Sequence, residues 1–174
     1  GKRTVVLDAD LGMANADVMC GLNPTRRLDR LLSDPPRGAE GLSVEAPGGF
    51  RLIPGAAGLA PIAGLDRDRY AQFLDAFRAL SAGNDLLLID TGAGVGPGVT
   101  TFCEGADLTL VVVTPEPTSI ADAYGMIKCL SQASRPTSAG LVVTQAGSEV
   151  EARAVHARIA GVAARFLTLQ PALT

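Results

Sequence analysis

Two carboxylates, Asp8 and Asp10, stand two residues apart at the end of the apolar run VVLDADLGMAN (5–15), and Gly12 follows them. Strand alternation puts both acids on one side of the chain. Like charges that close repel each other unless a cation or a phosphate-bound metal makes the placement useful. A third acid, Asp90, ends a second apolar run in DLLLIDTGAG (85–94), and Thr114 with Glu116 ends a third in DLTLVVVTPEP (107–117). An acid at the end of an apolar strand can hold Mg²⁺, often through water, while another orients an attacking water. Glycines after such an acid, as in D-T-G-A-G, let the backbone approach a phosphate and move when it leaves. A single strand-end Asp ordinarily does no more than cap the next helix. A D-x-D strand together with a D-x-G-x-G strand points to a site.

The elements that must position these acids follow from the apolar pattern. Strands are predicted at 4–10, in 50–58 ending in a glycine turn, in 85–94 ahead of Asp90 and its glycines, in 107–117 and at 139–144, with a short one at 42–46. Helices are predicted at 14–22, 28–32, 66–82, 119–132 and 149–166. The helix at 66–82 has Asp66 as its cap and a stripe of Tyr70, Phe73, Leu74, Phe77 and Leu80. Ser119 is read as the cap of the helix carrying Ile120, Ala123, Tyr124, Ile127 and Leu130. The last helix presents Val150, Val155, Ile159, Val162 and Phe166. Strands alternate with helices, and the strands are continuous apolar runs, as in a parallel sheet covered on both faces. The class is α/β, a mostly parallel sheet flanked by helices on both faces. Ligands of such folds bind beyond the carboxyl ends of the strands.

Bulk composition narrows the function. The chain has 174 residues, 47% of them hydrophobic, enough for one domain with a core, and a net charge of −3 that argues against a broad nucleic-acid footprint. No apolar run approaches the ~20 residues of a membrane span. Cys20, Cys103 and Cys129 lack metal-type spacing and read as reduced thiols. Arg26, Arg27 and Arg30 read as a solvated basic cluster, and His156 as a solvated helix-face residue.

KRTVVLDADLGMANADVMCGL (2–22), LLLIDTGAG (86–94) and VVVTPEPTSIADAYGMIK (111–128), in this order, resemble the MinD/ParA-type P-loop ATPases. Within them the likeness is to the FlhG/FleN branch, which sets flagellar number and placement. The resemblance implies that Asp10 is the switch I carboxylate that positions the attacking water, and Asp8 its partner near Mg²⁺ and the phosphates. It implies that Asp90 is the Walker B aspartate, with Gly92 and Gly94 in switch II. Gly12, Asn15, Pro115 and Glu116 fall where the family's loops lie near the nucleotide, and Asp17 joins Asn15 as a polar pair near the phosphates or a dimer face. The implied cofactors are Mg²⁺ and ATP. The implied partners are a second copy, through an ATP-dependent homodimer, and flagellar or division regulatory proteins, in the cytoplasm or at the inner face of the membrane.

The family's K-G-G-x-G-K-T loop precedes the segment matched by GKRTVV, and no G-x-x-x-x-G-K-[ST] occurs in the 174 residues. The expectation is therefore a single MinD/ParA-like ATPase domain over 1–174, P-loop NTPase-like and truncated at both ends, unable to hydrolyse ATP alone. The C-terminal helix with which MinD-type proteins touch membrane is also outside it. The absent first strand, central in the family, is expected to leave strand edges unpaired. Thr144-Gln145 stands where the family usually offers an Asn to adenine. Two alternatives stay open: a non-catalytic partner-binding module derived from the family, and a phospho-acceptor receiver-like domain. The latter wants a Lys after the strand at 139–144, where Thr-Gln stands.

Overall fold

The structure, a computed structural model, describes residues 1–10, 12–32, 41–56, 68, 75–79, 82–133, 138–166 and 172–173. The chain forms two compact units, Gly1–Gly92 and Ala93–Thr174. The first contains β1 (Thr4–Ala9), α1 (Ala16–Met19), α2 (Asp29–Leu32), β2 (Val44–Ala46), β3 (Phe50–Ile53), a helical stretch α3 over 75–79, and β4 (Leu86–Thr91). The second contains α4 (Pro97–Gly105), β5 (Leu108–Val113), α5 (Pro117–Ser131), β6 (Ser138–Val143), α6 (Glu149–Phe166) and β7 (Ala172–Leu173).

In the first unit the strand order is β2-β3-β1-β4, with β1 parallel to both neighbours and β2 antiparallel to β3. The β1–β4 register pairs Asp8 with Asp90, so two strand-end acids are direct neighbours in the sheet. Val5, Leu7 and Ala9 of β1 are buried with Leu28, Leu31, Leu42, Leu52 and Ile53. Burying one such leucine stabilises the fold by about 2 kcal/mol. Arg3 and Asp85 clasp the amino ends of β1 and β4 through two hydrogen bonds from the guanidinium and one from the Arg3 N–H.

In the second unit β5, β6 and β7 form a parallel sheet. The crossover from β5 to β6 is α5, whose Ala123, Ile127 and Leu130 pack with Val111, Val113 and Leu141. On α6 the buried stripe is Val155, Ile159 and Ala163. Val150 and Val162, expected on that stripe, are exposed. Five residues take Val150 roughly 140° round the helix from Val155, and the stripe's advance of four favours Ala163 over Val162.

Other details differ from the apolar pattern. α5 starts at Pro117 with Glu116 as its N-cap, not at Ser119. Proline is preorganised for the first helical position, and the Ser119 hydroxyl instead accepts the Thr114 N–H at 3.0 Å. Leu86 and Leu88 of β4, and Leu108, Leu110 and Val112 of β5, alternate as exposed residues. Among the described residues each of these strands is paired along one edge, β4 to β1 and β5 to β6. The short β7 was not anticipated. Asp66, Tyr70, Phe73, Leu74 and Leu80 lie outside the described residues.

Candidate functional site

At the carboxyl end of β1 the chain turns sharply, and the two acids hold the turn. Asp8 is 2% exposed. Its Oδ1 accepts the Asp10 N–H at 3.2 Å, and its Oδ2 accepts the Ala16 N–H, the first of α1, at 3.0 Å. Asp10, half-buried, accepts the Gly12 and Met13 N–H groups on Oδ1, both at 3.0 Å. Asn15 is the N-cap residue of α1 but makes no side-chain capping bond. Asp8 takes that work from across the turn. Carboxylate acceptors are favoured here because the N–H groups of a first helical turn have no partner of their own.

Asp10 rests against the glycine that follows Asp90. A Cβ built on Gly92 would lie 3.0 Å from Asp10 Oδ1 and 3.2 Å from its Cγ. Any side chain at 92 would displace Asp10, so the D-T-G spacing is a steric requirement as well as a flexible one. Asp8, Asp10, Asp90, Gly12 and Gly92 are thus brought together within the first unit. Gly94, Pro115 and Glu116 belong to the second. There Gly94 takes a positive φ of 96°, Pro115 is half-buried, Glu116 is exposed, and Thr114 Oγ1 is buried with no hydrogen-bond partner among the described residues.

The three acids differ chemically. Partial burial, and then the charges of Asp8 and Asp10, push the Asp90 carboxyl above its ordinary range. No protein hydrogen bond reaches the Asp90 carboxylate among the described residues. Asp8 has both oxygens engaged and Asp10 has Oδ2 to spare. Among the described residues no group of three or more ligand side chains stands at metal-holding distances. A carboxylate without a partner, raised by two neighbouring charges, fits a hydrated cation held by one or two acids and completed by phosphate, the habit of Mg²⁺.

Two residues that sequence reasoning placed elsewhere belong to this end of the sheet. Asp17 is buried, 2% exposed, rather than open to a ligand or dimer face. Arg27, expected in a solvated cluster, reaches it with Nη2 at 2.6 Å. Burial would raise the Asp17 carboxyl, but the Arg27 hydrogen bond, local backbone N–H groups and the Arg27 charge outweigh it and hold it below the usual range. Nothing in the local pattern NPTRRLDR marks Arg27 off from its neighbours.

No protein-family model matches the chain. It is similar to the antiactivator FleN of Pseudomonas aeruginosa, with 38% identity over 167 residues, which make up 96% of this chain and 59% of the relative. It is similar also to the flagellum site-determining protein YlxH of Helicobacter pylori, with 33% identity over 166 residues, 94% of this chain and 54% of the relative. The chain therefore spans somewhat more than half the length of these curated relatives. Its fold matches the septum site-determining protein MinD of Pyrococcus horikoshii, solved with Mg-ADP, at a TM-score of 0.70 and 17% identity, over 98% of this chain and 67% of that one.

Proposed function

Because this chain belongs to the MinD/ParA-type P-loop ATPases, we propose that it is the switch-bearing part of a nucleotide-dependent regulator of flagellar number and placement. The identity to two flagellar proteins supports that process over division-site placement. The reading takes both compact units as parts of one ATPase domain. It includes an ATP-dependent homodimer, flagellar or division regulatory proteins as partners, and a cytoplasmic location with peripheral membrane contact. Among the described residues no helix is long and apolar enough to cross a membrane.

The observation that carries the reading is the seat of Asp10 against Gly92, beside the Asp8–Asp90 register pair. A shift of the backbone at Gly92 must move Asp10, and the reverse, so two loops answer to one ligand. Mg²⁺·ATP, when bound, supplies the phosphoryl group and the positive charge that this acidic end otherwise lacks. Asp10 would orient water through its unengaged Oδ2. Asp8 fixes the turn that carries Asp10. Asp90 would hold a hydrated cation through its unpartnered carboxylate. Gly12 and Asn15 would meet the nucleotide from the turn of the first unit, and Gly94, Pro115 and Glu116 are proposed as contacts of the second unit on the family resemblance alone. The 174 residues contain no G-x-x-x-x-G-K-[ST], and their ATP turnover alone is expected at background. Turnover above background that Asp10→Ala abolishes would overturn that expectation.

The test is a titration of Mg²⁺·ATP followed through amide resonances. Shifts concentrated at Asp10, Gly12, Asp90 and Gly92, and lost in Asp90→Asn, support the switch reading. A folded chain in which none of them moves favours a second reading, a partner-binding module. Met13, Val18 and Met19, exposed by 75%, 73% and 83%, give that module an apolar surface beside the turn.

A further inference from the structure

We propose that Arg27 is a positioning residue for the Asp8–Asp10 turn, acting as a clamp between Asp17 on α1 and the turn at the end of β3. One arm of its guanidinium, Nη2, meets Asp17 Oδ2 at 2.6 Å, and the other, Nη1, donates to the Gly55 carbonyl at 3.2 Å. The adjacent Leu28 N–H donates to the Pro54 carbonyl at 3.0 Å, and the Leu28 side chain is fully buried. Gly55 in turn lies hard against the acidic turn. A Cβ built on it would stand 2.6 Å from Ala14 Cβ, 2.7 Å from the Asp8 carbonyl oxygen and 3.0 Å from Asp8 Cγ.

These contacts close a ring. Asp8 holds the first N–H of α1, α1 carries Asp17, Asp17 holds Arg27, Arg27 holds Gly55, and Gly55 abuts Asp8. The other oxygen of Asp17, Oδ1, is buried with no hydrogen-bond partner among the described residues. Local backbone N–H groups contribute, but the guanidinium supplies the opposite charge on this buried acid, and losing Arg27 leaves a buried carboxylate that outward movement of α1 would relieve. Outward movement of α1 pulls Ala16 from Asp8 and loosens Asp10. What the turn is for rests on the switch reading, but the clamp itself does not.

The experiment compares the whole chain with its Arg27→Lys and Arg27→Gln variants, without nucleotide, through amide shifts and exchange. Hydrogen bonds to carboxylates displace the Gly12, Met13 and Ala16 amide protons downfield. Lys keeps a charge opposite Asp17 but has no planar fork to span Asp17 and Gly55 together. In Arg27→Lys the Ala16 amide is expected to exchange about tenfold faster. The three shifts should fall back, while β4 and α5 amides stay as they are. In Arg27→Gln the change should be larger. Unchanged shifts and exchange at all three amides in both folded variants overturn the proposal. So does an even change across β1, β3 and β4, or an Arg27→Lys chain that does not fold, since each makes the pair a matter of general stability. Mg²⁺·ATP titration can fail while this clamp holds, so the two readings fall separately.

Discussion

At the carboxyl end of β1, Asp8 and Asp10 together accept four backbone N–H bonds. At the carboxyl end of β5, Glu116 caps α5 by position alone, with no side-chain bond, and a neutral Ser119 hydroxyl holds the Thr114 N–H. Both ends follow parallel strands and both carry acids. The first is preorganised, because its carboxylates are tied to the backbone that must present them. The second holds its loop with the hydroxyl and leaves its acid in water. An acid at a strand end is thus informative only when its oxygens are traced. Asp8 is largely a structural acceptor, Asp10 is an acceptor with one oxygen to spare, and Asp90 is free to meet a ligand.

The largest contrast should come from removing each acid. Asp8→Ala strands two buried N–H groups, and hydrogen bonds to a charged group contribute about 1.5–3 kcal/mol each. A loss of about 3 kcal/mol in urea unfolding is expected, against a change within about 0.5 kcal/mol for the exposed Glu116→Ala. Equal losses would erase the difference between the two ends. The next effect is steric. Gly92→Ala sets a methyl 3.0 Å from Asp10 Oδ1, and should cost about 1–2 kcal/mol in thermal unfolding, with displaced Gly12 and Met13 amide shifts. Gly125→Ala in α5, where a Cβ meets nothing within 4 Å, should instead stabilise by about 1 kcal/mol. A harmless Gly92→Ala would mean that Asp10 does not rest there.

A smaller effect separates Asp90 from the engaged acids. Its carboxyl is raised on folding, so its charge opposes the folded state above that raised value, and the penalty disappears below the ordinary carboxylate range. Asp90→Asn should therefore stabilise at neutral pH, by no more than about 0.5 kcal/mol because the residue is exposed and screened. The gain should vanish as the pH falls into the acid range. Stability curves of the two chains that run parallel down to low pH would show that neither burial nor the charges of Asp8 and Asp10 raise it. The smallest effect lies after β6, where Gln145 takes a positive φ of 57°. Asn tolerates that conformation better than Gln, and Gln145→Asn should raise stability by about 0.5 kcal/mol on melting. No gain would place the backbone there outside the left-handed region.

Much of this architecture was legible in the residues. Apolar runs end where β1, β4 and β5 end, and the α6 boundaries were read as 149–166, because burial of a strand and the period of a helix are written in adjacent residues. Family motifs pointed to the acids and glycines around the β1 turn for the same reason. The path of hydrogen bonds was not legible. Local alternation placed Asp8 and Asp10 alike, yet the turn after Ala9 assigns one to α1 and the other to Gly12 and Met13. Stripe residues such as Val150 failed because hydrophobicity does not say which arc of a helix meets the sheet.

By itself, then, the sequence determined most of the strands and longer helices, though not α4 or β7, and which acids terminate β1 and β4, since those depend on neighbours along the chain. Only the tertiary structure decided that Asp8 and Asp90 share a register, that Gly92 makes room for Asp10, and that Arg27 answers Asp17 rather than water. Each of these joins residues distant in sequence. Such a pairing is set by how the sheet orders its strands and which loops that order presses together, and no local pattern encodes it.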